Sequence, residues 1–386
     1  MIKIQVSNKI QSSEVLSIFE KLEKQIITNF QRYREENGNE KLIKKFEEVF
    51  GNNYDEQRAS LHCFLYNSKH ADIKRIITKF DCLIEISKTY IEKIVYDFNN
   101  MPLQTLTKNA FKKLIYPQNK TEREIYEIFV KRINEVFPVA ENVRLSKENK
   151  HIFFDKYIEY KEHAIDIRAE IEKIINYDML GGNDRHTILT AIGVKVCPYC
   201  NRQYISSWRE EGEDKTTGDL DHFFSKSKYP IASLCLYNFI PSCQICNSRF
   251  KLQKDFLKEK HIYPYEQEFG DDAKFEIDNI EALMGENPKF SIHNYDGLFK
   301  REIDNSIHTF HINELYENHS DIVKNIILNA QIYNEIYLED ILESYTGLFS
   351  SKEELKQIVF HDEFSEEQKP FEKLRKDIMD DIGIKL

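Results

Sequence analysis

The chain lacks any long hydrophobic run, any net positive charge, any fixed-period repeat and any low-complexity tract. Its longest apolar stretch, Ile231 to Ile240, contains Asn238 and falls well short of the roughly 20 residues a membrane-spanning helix needs. The opening MIKIQVSNKIQ has no apolar core followed by a cleavage site, so a soluble, cytoplasmic protein is expected. Without a recurring period a solenoid is excluded. Lys and Arg number 54 against 65 Asp and Glu, a net charge of −11, so bulk charge would not gather phosphate non-specifically. Cysteine is sparse and odd in number, seven in all, which excludes a secreted disulfide framework.

What is present is a globular composition. Hydrophobic residues make up 41%, with 26 Phe and 21 Tyr, enough apolar surface to exclude disorder as the main state. A length of 386 residues allows two or three domains at roughly 100–200 residues each. Apolar positions recur at three and four from Ile73 through Ile76, Ile77, Phe80, Leu83, Ile84, Tyr90, Ile91, Ile94 and Val95, and again from Phe154 through Tyr157, Ile158 and Ile165 to Ile174 and Ile175. Both read as amphipathic helices. Turn signals fall at 37–39, 51–53, 99–102 and 181–183, the last being the expected domain boundary. Beyond it the segments shorten. Gly193–Val196, Tyr204–Trp208 and Thr217–Phe224 read as strands, a helix is expected from near Cys243 towards Lys260, and strands return near Phe275–Ile277, Phe290–Ile292 and Ser306–Phe310. A long helix fits Ile322 through Tyr337 to Ile341. The expected class is α+β and mainly helical, divided into a helical region 1–182, a central module 183–262, and a mixed region 263–386 that is helical at its end.

Charge is not spread evenly. Between Lys195 and Ile262 lie 11 basic and 8 acidic residues, so the central segment is net +3 and the remainder −14. The same segment holds two Cys-x-x-Cys pairs, Cys197/Cys200 and Cys243/Cys246, whereas Cys63, Cys82 and Cys235 stand alone. Two such knuckles can present four thiolates tetrahedrally to zinc, with no position left open for substrate. A zinc ion there would be structural, and the chemistry would lie between the knuckles.

Between them run Asp219-Leu220-Asp221-His222-Phe223-Phe224, then Leu236-Tyr237-Asn238-Phe239-Ile240, then Cys243-Gln244-Ile245-Cys246-Asn247. In this order and inside a four-cysteine frame, residues 197 to 251 resemble the HNH endonucleases, the ββα-metal or His-Me finger family. The runs CPYCNRQY, DLDHFFSKSKYP and LYNFIPSCQICNSRFK also resemble bacterial HNH nucleases that act beside ATPases in anti-phage defence, such as the nuclease subunit of Septu-type systems. The resemblance implies a ββα module in which His222 is the general base, Asp221 and Asn247 hold a catalytic Mg²⁺ or Mn²⁺, and Asn238 fixes the loop that orients His222. It further implies cleavage of DNA to 5′-phosphate and 3′-hydroxyl ends, with an ATPase as possible partner.

The chemistry also follows from the residue types. A carboxylate and an amide carbonyl are hard oxygen donors suited to Mg²⁺, and a neutral imidazole can take a proton from the attacking water. Asp219 shares a strand face with Asp221 if the segment is extended, as an alternative ligand or a support for one. Lys226, Lys228, Arg249, Lys251 and Lys254 flank the site as candidate phosphate contacts. One position departs from the family pattern: a lysine often stands three residues after the final Asn, and here that place is Phe250. Two rival functions are a zinc-stapled adaptor module without catalysis and an RNA-directed nuclease.

Overall fold

The computed structural model describes residues 1–85, 167–279, 281, 283, 287–361 and 368–384. The first helix, α1 (Ser13–Glu35), is capped by the Ser12 hydroxyl, which accepts from the Val15 N–H. It buries Val15, Ile18, Phe19, Leu22, Ile26, Ile27, Phe30 and Tyr33 along one face, the 3.6-residue stripe of a core-facing helix. It ends where Gly38 passes beneath Tyr33. A Cβ on Gly38 would lie 2.2 Å from the Tyr33 ring, so only glycine fits, and the Tyr33 hydroxyl accepts the Asn39 N–H at 2.7 Å. Asn39 and Asn53 then cap α2 (Glu40–Phe50) and α3 (Tyr54–His62), so the expected turns at 37–39 and 51–53 are helix starts. A π-helical turn at Cys63–Asn67 leads to α4 (His70–Glu85). Of the first expected amphipathic stripe, Ile73, Ile76, Ile77, Phe80 and Leu83 are buried on α4. Its residues 90–95 lie outside the described residues, as do the turn at 99–102 and most of the second stripe, of which Ile174 and Ile175 are buried.

Gly181 caps α5 (Gly182–Ile192), which packs on α1. Three antiparallel hairpins follow: β1 (Ser207–Glu210) with β2 (Glu213–Thr216), β3 (Gly218–His222) with β4 (Phe239–Cys243), and β5 (Ala273–Ile277) with β6 (Phe290–Asn294). Beyond the hairpins lie α6 (Lys300–Thr309), α7 (Ile312–Tyr316), α8 (Ser320–Ile332), α9 (Glu335–Ser344), α10 (Lys352–His361) and α11 (Glu372–Asp381). The molecule is α+β and dominated by helix, as the sequence pattern implied. Among the described residues no helix is long and apolar enough to cross a membrane.

Three expectations of secondary structure are corrected. Ser306–Phe310 belongs to α6 and its end, because Ile303, Ser306 and Thr309 share a buried face at a spacing of three. The long helix through 322–341 is two helices, α8 and α9, divided where the Asn334 side chain accepts from the Tyr337 N–H and starts a new one. The helix after Cys243 stops early, in a π turn at Cys246–Lys251. Of the other expected strands, Gly193–Val196 and Tyr204 contribute only a bridge between Val196 and Tyr204.

One buried hydrophobic cluster joins residues from Met1 to Met379, and it surrounds the β3–β4 hairpin. From the N-terminal side, α4 packs against short turns at Pro230–Ala232 and Leu236–Asn238, and the His70 ring meets Phe223 and Phe224 edge-on at 5.7 and 5.3 Å. From the C-terminal side, Phe310 stacks on Tyr199 at 4.5 Å and the Tyr316 hydroxyl donates to the Cys200 carbonyl. Asn201, at φ 49°, accepts the Phe371 N–H on its carbonyl and the Lys373 N–H on its side chain. The central hairpin is thus clamped from both ends of the chain.

Candidate functional site

The four paired cysteines come together. Cys197 and Cys200 lie on a turn closed by Asn201 N–H to Cys197 O at 2.8 Å; Cys243 ends β4 and Cys246 opens the π turn. All four are buried, and their sulfurs lie within 4.8 Å of one another. The Cys200 and Cys243 sulfurs are 4.0 Å apart, twice the ~2.05 Å of a disulfide. A tetrahedral zinc with bonds of about 2.3 Å requires sulfur–sulfur edges of about 3.8 Å, so the donor set fits a metal ion. Burial pushes the Cys197 thiol up, while hydrogen bonds from the neighbouring thiols pull Cys200 and Cys243 down, so without a cation the four do not all ionise together.

The β3–β4 register sets Asp221 opposite Ile240 and His222 opposite Phe239. His222 is 7% exposed, and its Nε2 lies 2.9 Å from the Ser233 carbonyl. A carbonyl can only accept, so Nε2 carries the proton and Nδ1 is left as the acceptor nitrogen. Burial, outweighing Asp221 and the Ser233 bond, pushes the imidazole down to about 4, so the ring is neutral near pH 7. Tyr177 meets it edge-on at 4.6 Å. A cleft of about 210 Å³, lined in part by Asn176, Tyr177, Lys226, Ser227 and Ser233, opens on the side of the carbonyl partner.

Asn238 is fully buried. Its Oδ1 accepts the Phe224 N–H at 2.8 Å, and its Nδ2 donates to Phe224 O at 3.1 Å and Ala232 O at 3.0 Å. It ties both ends of the loop that carries Ser233 to the strand that carries His222.

The expected partnership of Asp221 with Asn247 is not what the hydrogen bonds record. Asn247, half-buried on the π turn, donates from Nδ2 to Asp219 Oδ2 at 3.0 Å, which leaves its carbonyl oxygen unspent. Asp221 is 4% exposed, accepting the Tyr199 hydroxyl on Oδ2 at 2.7 Å and the Lys251 ammonium on Oδ1 at 3.0 Å. Both oxygens of the expected magnesium ligand Asp221 are thus engaged within the protein, one by Lys251 and one by Tyr199.

Two of the expected phosphate contacts are engaged within the protein. Lys251 is 1% exposed, and Lys228, also buried, pairs with Asp255 at 3.6 Å. Both ammonium groups are therefore spent on buried carboxylates. Lys226 is exposed with its ammonium 4.1 Å over the Tyr177 ring, Arg249 is exposed, and half-buried Lys254 donates to Thr309.

Sequence reasoning passed over Tyr199 and Ser233. Tyr199 carried a signal, since a tyrosine between two metal-binding cysteines is buried and its hydroxyl then needs a partner. Ser233 acts through its main chain, for which no side-chain signal exists. Comparison with family models, curated proteins and solved structures finds no match to this chain.

Proposed function

We propose that the protein is an HNH-type endonuclease that hydrolyses phosphodiester bonds, DNA being its substrate, with a structural zinc in the four-cysteine cluster. The single observation that carries the reading is the 2.9 Å hydrogen bond from His222 Nε2 to the Ser233 carbonyl, which leaves Nδ1 as the acceptor nitrogen of the ring. The ring so fixed stands at the end of β3, in a hairpin whose other strand leads into a cysteine knuckle and Asn247. A neutral imidazole of fixed tautomer is what a general base requires to take a proton from an attacking water. Asn238 supports the reading by fixing the loop through which Ser233 holds the ring.

Four thiolates saturate a tetrahedral ion, so zinc has no part in the hydrolysis and its contribution is to hold the two knuckles. Mg²⁺ or Mn²⁺ belongs to the proposal as the ion that would neutralise charge on the phosphate. Of the ligands expected for it, Asn247 keeps a carbonyl oxygen while Asp221 is spent on Lys251, so no step is assigned to that ion. Lys226, beside the cleft, and Arg249 are the proposed phosphate contacts. The acidic surroundings of the basic central segment favour delivery to DNA by a partner, for which an ATPase of an anti-phage system is the proposed candidate.

The test offers zinc-loaded protein plasmid DNA and single-stranded RNA, each with Mg²⁺, with Mn²⁺ and with EDTA. Cleavage of DNA that needs added metal and leaves 5′-phosphate ends supports the reading. Cleavage of RNA alone redirects it to an RNA nuclease. No cleavage of either, alone or with a neighbouring ATPase, replaces it with the adaptor module.

A further inference from the structure

We propose that Lys251 is a built-in cation of this site: its ammonium holds the place beside Asp221 that a divalent ion would need, and Asp221 serves as its counter-ion rather than as a metal ligand. That a divalent ion was expected there rests on the nuclease reading; the ion pair does not.

The ammonium is used in full. It donates to Asp221 Oδ1 at 3.0 Å and to the His222 carbonyl at 2.6 Å, and it lies 5.0 Å over the Phe256 ring. These are three partners for three N–H bonds. Lys251 is 1% exposed and Asp221 4%, and burying two charges is tolerable only when they are paired and their remaining hydrogen bonds are met. The Tyr199 hydroxyl meets that need on the far oxygen of Asp221.

The backbone is arranged for the delivery. Residues Cys246–Lys251 form a π turn, closed by Leu252 N–H to Asn247 O at 3.0 Å. A π turn holds more residues than an α turn, and this one ends on Lys251, whose ammonium reaches Asp221. The preceding Phe250 packs on His311 at 5.1 Å. The chain then leaves through Leu252 at φ 50°, a conformation that a leucine adopts only at a cost. Spending strain to seat one lysine fits a residue whose position matters, here a positioning residue that fixes Asp221 and the His222 main chain together.

The experiment titrates Mn²⁺ into zinc-loaded protein and reads binding by electron paramagnetic resonance, with zinc content and melting temperature as controls. Four proteins are compared: the parent, Asp221→Asn, Lys251→Ala and the double variant. Asp221→Asn is expected to leave Mn²⁺ binding within twofold of the parent, while Lys251→Ala gains a site that the double variant lacks. A tenfold or greater loss of Mn²⁺ affinity in Asp221→Asn overturns the proposal, as does a folded Lys251→Ala protein that gains no site. If Lys251→Ala does not fold, the parent and Asp221→Asn decide alone. All of this is read without cleavage, so it is independent of whether the protein proves to be a nuclease.

Discussion

Replacing Asn238 by alanine removes three hydrogen bonds, of 2.8, 3.1 and 3.0 Å, from a side chain with no exposed surface. The Phe224 N–H, the Phe224 carbonyl and the Ala232 carbonyl lose their side-chain partner inside the core. An orphaned buried group costs about 1–3 kcal/mol; the Ala232 carbonyl keeps the Cys235 N–H and carbonyls tolerate under-satisfaction better than N–H groups, so the sum is about 2–4 kcal/mol. Asn238→Asp should be at least as damaging, because it turns a donor aimed at two carbonyls into an oxygen facing them. The assay is urea denaturation of zinc-saturated protein followed by tryptophan fluorescence and far-ultraviolet circular dichroism, with coincident transitions required before a free energy is taken. A loss below about 1 kcal/mol for Asn238→Ala would refute the reasoning, since a mere surface asparagine behaves that way.

Other perturbations follow from the same packing. His261 is 3% exposed, stacked on Phe256, and held down to about 4 mainly by burial; below its unfolded value near 6.5 the unfolded chain binds the extra proton. Stability should therefore be full above pH 6.5 and fall towards pH 4, by about 3 kcal/mol from this group, and His261→Gln should flatten that part of the profile in denaturation measured against pH. Leu252 is 60% exposed at φ 50°, so Leu252→Gly should stabilise by about 1 kcal/mol, visible as a higher melting temperature. Cys243→Ser should abolish stoichiometric zinc by elemental analysis and lower solubility, because structural zinc affinity is folding free energy.

The parts of the site legible in the sequence are those fixed by local geometry. The two cysteines of each Cys-x-x-Cys pair are brought together by their own knuckle, and Asp219 and Asp221 share a strand face because alternation alone puts them there. What escaped is decided by contacts between distant segments. Lys251 reads as a surface base because nothing local says that a π turn will aim it inward at Asp221, 30 residues away. Lys228 is buried against Asp255 for the same kind of reason. In the fold, Ser306–Phe310 has the polar and apolar alternation of a strand, yet Ile303, Ser306 and Thr309 turn one helical face to the core. The break at Asn334 was readable, since an asparagine followed by glutamate starts a helix; the apolar stripe running through it hid the signal.

The central claim is that His222 is the base of a phosphodiester hydrolase, and the most direct test is the cleavage rate of His222→Ala beside the parent, at equal zinc content and melting behaviour. The ring holds one hydrogen bond to a main-chain carbonyl and none of the four thiols, so the variant should stay folded and loaded with zinc. Its rate should drop by roughly 10²–10⁴, the contribution of a positioned general base. A folded, zinc-bound His222→Ala protein that cuts as fast as the parent would contradict the account.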